Sequence, residues 1–294
     1  ILEIENITIM KNSTILCFAF LFFSFSMFAN ISSSDKEVLV KLYKATNGNE
    51  WINKWDLSSS VATWYGVKLQ NGKVVSINLS NNNLTGEIPG EIVKLKSLQE
   101  LNLYKNNISG AIPSDIGNLS ELRILNLSFN KLSGNIPNSV CKMLNLKSIE
   151  LYMNALSGKL PTQIGALNQL EVLSLFNNEI VGEIPNSLYN IKTVKTLLLN
   201  SNKLVGRLSR DIANMTSLEN LSLFDNNMIG QVPFELEKLG NLKEMNISYN
   251  KFNGLVSRDL AVLDVMNMKM INEEGFAVSL NVLGGRNSAI VFED

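Results

Sequence analysis

Leu101-Asn102-Leu103-Tyr104-Lys105-Asn106-Asn107-Ile108-Ser109-Gly110-Ala111-Ile112-Pro113 returns, 24 residues later, as Leu125-Asn126-Leu127-Ser128-Phe129-Asn130-Lys131-Leu132-Ser133-Gly134-Asn135-Ile136-Pro137. The shift persists along the chain. Asn82, Asn106, Asn130, Asn154, Asn178, Asn202, Asn226 and Asn250 fall on it without a slip, and a glycine follows each four residues later, from Gly86 to Gly254. Every proline shares the grid: Pro89, Pro113, Pro137, Pro161, Pro185 and Pro233. A fixed period of this length marks a stack of supersecondary units, none of which buries its apolar face alone.

Each residue type has a mechanical reason. Leu-x-Leu alternates with period two, so it is a short strand with one buried face, and stacked coils set these strands side by side in a parallel sheet. The asparagine turns the chain out of the strand. Buried at the bend, its amide can satisfy main-chain groups in its own coil and the next. Leu84, Ile108 and Leu132 fill the core behind it. The glycines suit a bend that needs positive φ or close backbone approach. The Ile-Pro step gives an extended piece that ends where proline removes a donor. Apolar residues three apart (Ile116, Leu119, Leu122; Ile164, Leu167, Leu170; Leu236, Leu239, Leu242) predict a short 3₁₀-like turn on the outer side.

The pattern LxxLxLxxNxLxGxIPxxIxxL resembles the plant-type extracellular leucine-rich repeats of receptor-like kinase ectodomains and polygalacturonase-inhibiting proteins, a type also present in secreted bacterial proteins. The resemblance covers about residues 74–268. It implies an α/β solenoid: a right-handed superhelix with a parallel sheet on the concave face and 3₁₀ or short helical turns on the convex face. It also implies a helical N-terminal cap and binding of diverse partners.

Composition narrows the chemistry. With 45% hydrophobic and 18% charged residues, the chain of 294 residues is too apolar for disorder. A net charge of -1 removes the attraction that nucleic-acid binding relies on. Zero histidines removes the usual neutral-pH general base, the Ser-His-Asp and Cys-His arrangements and every His-containing metal site. No enzyme, cofactor or metal is therefore expected.

Both ends depart from the repeat. Met10-Lys11 followed by apolar residues to Ala29 reads as a secretory signal peptide over 1–29, with 1–9 an upstream extension; an uncleaved anchor is the competing reading. A secreted or cell-surface location follows, with membrane contact only through that segment or a partner. Cys141 is then the sole remaining cysteine, a small apolar residue. Residues 30–73 read as an N-terminal cap: a helix from Asp35 to Thr46, N-capped by Ser34 or Asp35 and ended by Asn47-Gly48, then Trp51, Trp55 and Trp64 as cap core. In the resembling family a cysteine pair commonly brackets the Trp-x-Gly-Val segment. Here Thr63 and Lys68 or Leu69 stand near those places, which favours the bacterial type. Beyond 268, Lys269 and Glu274 break the grid, and Phe276–Leu283 with Ala289–Phe292 reads as a capping hairpin turned on Gly284-Gly285, in a cap spanning 269–294.

Residues between and just after the inward leucines face the concave side. There the candidate ligand-binding residues are Glu100, Tyr104, Lys105, Glu150, Tyr152, Phe176, Phe224 and Asp225. Tyr104, Tyr152, Phe176 and Phe224 share one register, with a gap at Asn200, while Phe129 and Tyr249, one position further on, read as packing residues. Exposed aromatics beside small polar residues are what protein or glycan recognition uses. The expected function is a binding module for a protein or peptide in extracellular recognition, adhesion or signalling. The alternatives are an inhibitor of an extracellular polysaccharide-degrading enzyme and a glycan or cell-wall binder.

Overall fold

The computed structural model describes residues 31–264, 266 and 268–283. The expected leader over 1–29 and the expected second hairpin arm, 289–292, lie outside them. Among the described residues the largest sheet has nine strands in chain order: Val67–Gln70, Lys73–Asn78, Glu100–Asn102, Ile124–Asn126, Ser148–Glu150, Val172–Ser174, Thr196–Leu198, Asn220–Ser222 and Glu244–Asn246. The first pair is antiparallel and the rest are parallel, each in register with its 24-residue equivalent, as in Leu101↔Leu125 and Leu125↔Ile149. The alternating leucines point inward, so Leu101, Leu103, Leu125 and Leu127 are fully buried. We number the coils one to eight by their asparagines, Asn82 to Asn250.

The ladder does not stop where the strand does. Lys105 N donates to Ser128 O at 3.0 Å and Asn106 N to Phe129 O at 3.1 Å. Keeping those bonds through the bend requires one residue per coil in the left-handed region. Asn81, Lys105, Phe129, Met153, Asn177, Ser201, Asp225 and Tyr249 all have φ between 50° and 57°. For a residue with a Cβ this conformation costs about 1 kcal/mol or more, which the inter-coil hydrogen bonds offset.

The next residue is the buried asparagine. Asn106 Nδ2 donates to Leu79 O at 2.9 Å and Leu103 O at 3.0 Å, while its Oδ1 accepts from Asn82 N and Leu84 N, both at 3.0 Å. Asn130, Asn154, Asn178, Asn202, Asn226 and Asn250 keep both Nδ2 bonds, but each Oδ1 accepts from one main-chain N–H, as from Ile108 N at Asn130, because the second N–H bonds to a carbonyl of the following coil. The amide thus serves its own coil and the preceding one, not the next as the sequence reading had it. The direction has a cause. At the bend, N–H groups such as those of Leu103, Lys105 and Ile108 aim at the following coil, so Ile108 N, which finds no carbonyl there, meets an amide that belongs to the follower.

After the bend a second parallel sheet forms, which the sequence reading anticipated only as an extended piece. Ser133–Asn135, Ala155–Lys159, Glu179–Gly182 and Lys203–Leu204 pair in order, with shorter pairs on either side. Eight of its glycines, Gly86 to Gly254, have φ between 74° and 87°. Short 3₁₀ turns such as Ile116–Asn118 and Asn138–Lys142 then close each coil on the outer side. Ile116, Val140 and Cys141 in these turns are buried, and burial pushes the Cys141 thiol up in pKa.

At the N-terminal end the helix runs Ser33–Ala45. It starts before the expected caps. Ser32 is the N-cap, without a side-chain bond, and Asp35 lies inside the first turn, buried, accepting from Val74 N at 3.1 Å. That carboxylate ties the helix to the first coil instead of capping it. Tyr43, Trp51, Trp55 and Trp64 pack ring against ring, and the three indoles donate to Thr46 O, Tyr65 O and Asp56 O. This cluster covers the open core in a cap with no disulfide.

At the C-terminal end the described residues form a pairing that the sequence reading did not include. Ala277–Ser279, in the first arm of the expected hairpin, pairs antiparallel with Lys269–Ile271 across Asn272–Phe276, and Asn281–Val282 pairs parallel with Leu255–Val256. Asn272, Glu273 and Gly275 supply the turn chemistry, with Gly275 at φ 85°. Asp264, buried at 3% exposure, accepts from Ile247 N at 2.8 Å, Ser248 Oγ at 3.0 Å and Met266 N at 2.9 Å. Its carboxylate stands where the next coil's carbonyls would have been.

Two outcomes test this account. Asn154→Ala strips partners from Leu132 N, Leu127 O and Leu151 O, so chemical denaturation should register a loss of about 3 kcal/mol or more. Asn118→Ala, at an exposed asparagine, should change stability by less than about 0.5 kcal/mol. Tyr189 is buried in the turn Asn186–Asn190, and burial pushes its phenol up to about 12. An unfolded tyrosine ionises near pH 10, so between there and about pH 12 the native state retains a proton that the unfolded state has lost. Its contribution to stability is complete below that window and falls by about 1 kcal/mol per pH unit within it. Tyr189→Phe should flatten the alkaline decline in melting temperature relative to the parent.

Candidate ligand-binding face

The fifth and sixth positions after each strand start form a band along one border of the concave sheet. In coil two the fifth position holds Tyr104, in coil four Tyr152, in coil five Phe176 and in coil seven Phe224. Coil three has Ser128 there, fully buried, its Oγ and N both bonded to Asn126 Oδ1. The small serine leaves a slot that the sixth-position ring fills. Phe129 stands between its neighbours, 5.5 Å from Tyr104 and 5.6 Å from Tyr152, edge to face with both. Tyr152 then stacks on Phe176 at 4.3 Å with 12° between planes. Four consecutive coils thus carry one unbroken run of rings.

Asn200 and Ser201 interrupt it in coil six. It resumes where Phe224 meets Tyr249 at 5.2 Å, again with a buried serine, Ser248, in the fifth position. Phe224 is therefore separated from Phe176 by an aromatic-free coil. Phe129 and Tyr249, read from the sequence as packing residues, do pack on neighbouring rings, and by doing so they stand in the same row. The signal was present. From coil two to coil eight, wherever the fifth position is serine the sixth is aromatic, so each of these coils except the sixth contributes one ring, while coil one, with Ser80 and Asn81, contributes none.

The charged candidates divide. Glu100 accepts from Ser76 Oγ at 2.9 Å and Asn78 Nδ2 at 3.4 Å, and Glu150 from Ser148 Oγ at 3.0 Å. Both carboxylates are thus occupied by neighbours on the sheet. Lys105 and Asp225 occupy left-handed sixth positions, are exposed, and have no ion-pair partner among the described residues. A separate row borders the opposite end of the strands. Glu171 lies between Lys147 (3.8 Å) and Lys195 (2.8 Å), and Glu219 pairs with Lys243 at 2.6 Å. The Lys195 ammonium holds the Glu171 carboxyl below its ordinary value. At such exposure each pair contributes little to stability.

Profiles of two families match, leucine-rich repeat region over residues 121–273 and leucine rich repeat over residues 72–132. The chain belongs to the leucine-rich repeat family. Over 87 residues it is 39% identical to leucine-rich repeat receptor protein kinase EMS1 of Arabidopsis thaliana, a stretch covering 29% of this chain and 7% of that one. Among solved structures it is similar to PEPR1 in complex with AtPEP1, at 33% identity and a TM-score of 0.72 over 76% of this chain and 32% of the other. It is also similar to the GASSHO1/SCHENGEN3 receptor kinase ectodomain of Arabidopsis thaliana, bound to CASPARIAN STRIP INTEGRITY FACTOR 2. That match has 25% identity and a TM-score of 0.70, over 84% of this chain and 33% of the other. The chain spans about a third of the length of these solved ectodomains.

The ring contacts are measurable directly. A double-mutant cycle on Tyr152→Ala and Phe176→Ala, followed by chemical denaturation, should give a coupling of about 1 kcal/mol. Tyr152 with Phe224, whose rings have other neighbours, should give a value near zero.

Proposed function

We propose that this chain is a non-catalytic extracellular recognition module that binds a protein or peptide along the aromatic band of its concave face. The observation that carries the reading is the unbroken run Tyr104–Phe129–Tyr152–Phe176. Partly exposed rings held by their neighbours supply apolar contact area at low conformational cost, because little side-chain freedom remains to be lost on binding. Similarity to receptor ectodomains solved with AtPEP1 and with CASPARIAN STRIP INTEGRITY FACTOR 2 supports the same class of ligand and a location outside the cell.

The ring geometry favours a peptide over a glycan. A sugar stacks on an open aromatic face. Here Tyr152 and Phe176 cover each other's faces, and Phe129 meets its two neighbours edge to face. Edges and phenol hydroxyls remain, and they suit apolar side chains and main-chain carbonyls. No observation favours inhibition of a polysaccharide-degrading enzyme.

The test is a selection of random displayed dodecapeptides on the full chain, with dissociation constants measured for the enriched sequences. Tyr152→Ala/Phe176→Ala should weaken binding by about tenfold or more, the loss expected when central aromatic anchors are removed. Undiminished binding, with the variant's fold intact by circular dichroism, would overturn the reading.

A further inference from the structure

Lys105 and Asp225 occupy the same place in the repeat, the left-handed sixth position, in coils two and seven. At that position two coils use asparagine (Asn81 and Asn177), the residue that adopts this conformation most readily after glycine. Two others carry the aromatics Phe129 and Tyr249, which join the band. Lys105 and Asp225 do neither. Each is exposed and each lies beside the rings: Lys105 follows Tyr104, and Asp225 follows Phe224. Their opposite charges have no partner among the described residues, although Glu171, Glu219, Glu179 and Glu91 all pair with lysines elsewhere. The other concave carboxylates do not share this standing. Glu100 and Glu150 are hydrogen-bonded on the sheet, and Glu244 lies at the far end of its strand.

We infer that the ligand is an extended peptide of fixed polarity, with an acidic group at Lys105, a basic group at Asp225 and apolar side chains on the rings between. This rests on the peptide reading of the aromatic band and adds to it an orientation and a length. Five coil steps of about 4.8 Å separate the two charges, or roughly 24 Å, and an extended chain rising about 3.3 Å per residue covers that in some seven residues. The break at coil six gives the ligand a second feature. Asn200 and Ser201 present amide and hydroxyl where the neighbours present rings. The ligand position above them is accordingly small or polar, and apolar anchors lie on both sides of it. Opposite charges at the two ends also make the reversed peptide repulsive at both, so orientation is set by what is disfavoured as well as by what is gained.

The test uses the same displayed dodecapeptide selection on the full chain, read for charge order, alongside the reversal variant Lys105→Asp/Asp225→Lys. Each substitution installs a residue that this backbone position already holds in another coil, so the fold is kept. Against the parent, enriched sequences should carry an acidic and a basic residue about five to nine positions apart in one consistent order. The reversal variant should enrich the opposite order. For a parent-selected peptide, Lys105→Asn or Asp225→Asn should each weaken binding by about two- to fivefold, the range for an exposed ion pair, and added salt should shrink that difference. Peptides that depend on Tyr152 and Phe176 but show no charge order, or keep their order on the reversal variant, would overturn the polarity while leaving the peptide reading intact. If no peptide depends on those rings, both fall.

Discussion

A single side-chain amide, repeated once per coil, is what the rest of this structure depends on. At each bend the main chain leaves its strand and releases carbonyls and N–H groups into the packed interior of the stack. An asparagine one residue past a left-handed turn satisfies them: its Nδ2 donates to two carbonyls and its Oδ1 accepts from one N–H, or from two at Asn106, whose partners are Leu79, Leu103, Asn82 and Leu84. Aspartate lacks the donors, glutamine reaches too far, and a hydrophobic residue would leave several buried polar groups unpaired at about 1–3 kcal/mol each. With the bend satisfied, the leucines on either side can be fully buried, and the coil pitch is fixed at that of a parallel sheet. The spacing of everything on the concave face follows from that pitch.

The left-handed turn that positions the amide also shapes the binding face. The fifth and sixth positions straddle the turn, so side chains from the two compete for the same space along the border of the sheet. A ring at the fifth excludes one at the sixth. A serine at the fifth, drawn down onto Asn126 or Asp264, leaves the slot open for Phe129 or Tyr249. Coil by coil the band keeps one aromatic, supplied from either position, until Asn200-Ser201 breaks it.

How much of this was legible in the amino acids depends on whether a residue's role is set within its own repeat. The roles of Asn154, Gly158 and Leu151 are, and the period exposed them. Lys203–Leu204 pairing with Val181–Gly182 is a contact between coils, formed by residues with no strand pattern of their own, so the second sheet was not visible. The contacts of Phe129 were hidden for a related reason. Its register differs from that of Tyr104 and Tyr152, and only the three-dimensional turn brings the registers into one row. At the ends the repeat no longer constrains the reading. Asp35 has the sequence position of a helix cap and the structural position of a tether to Val74. The strand Ala277–Ser279 pairs with Lys269–Ile271, a partner that no strand pattern announced.

Asp264 has a consequence beyond its own neighbourhood. Every parallel sheet in a stack ends with a strand whose N–H groups aim outward and would accept another strand, from this molecule or a different one. Here a carboxylate already accepts from Ile247 N and Ser248 Oγ, the donors that such a strand's carbonyls would need. An extra coil from a second molecule would have to displace a buried anion before forming its first bond. Among the described residues, the donors along this border are taken up from within the chain, so the row of parallel strands offers less of an open template there.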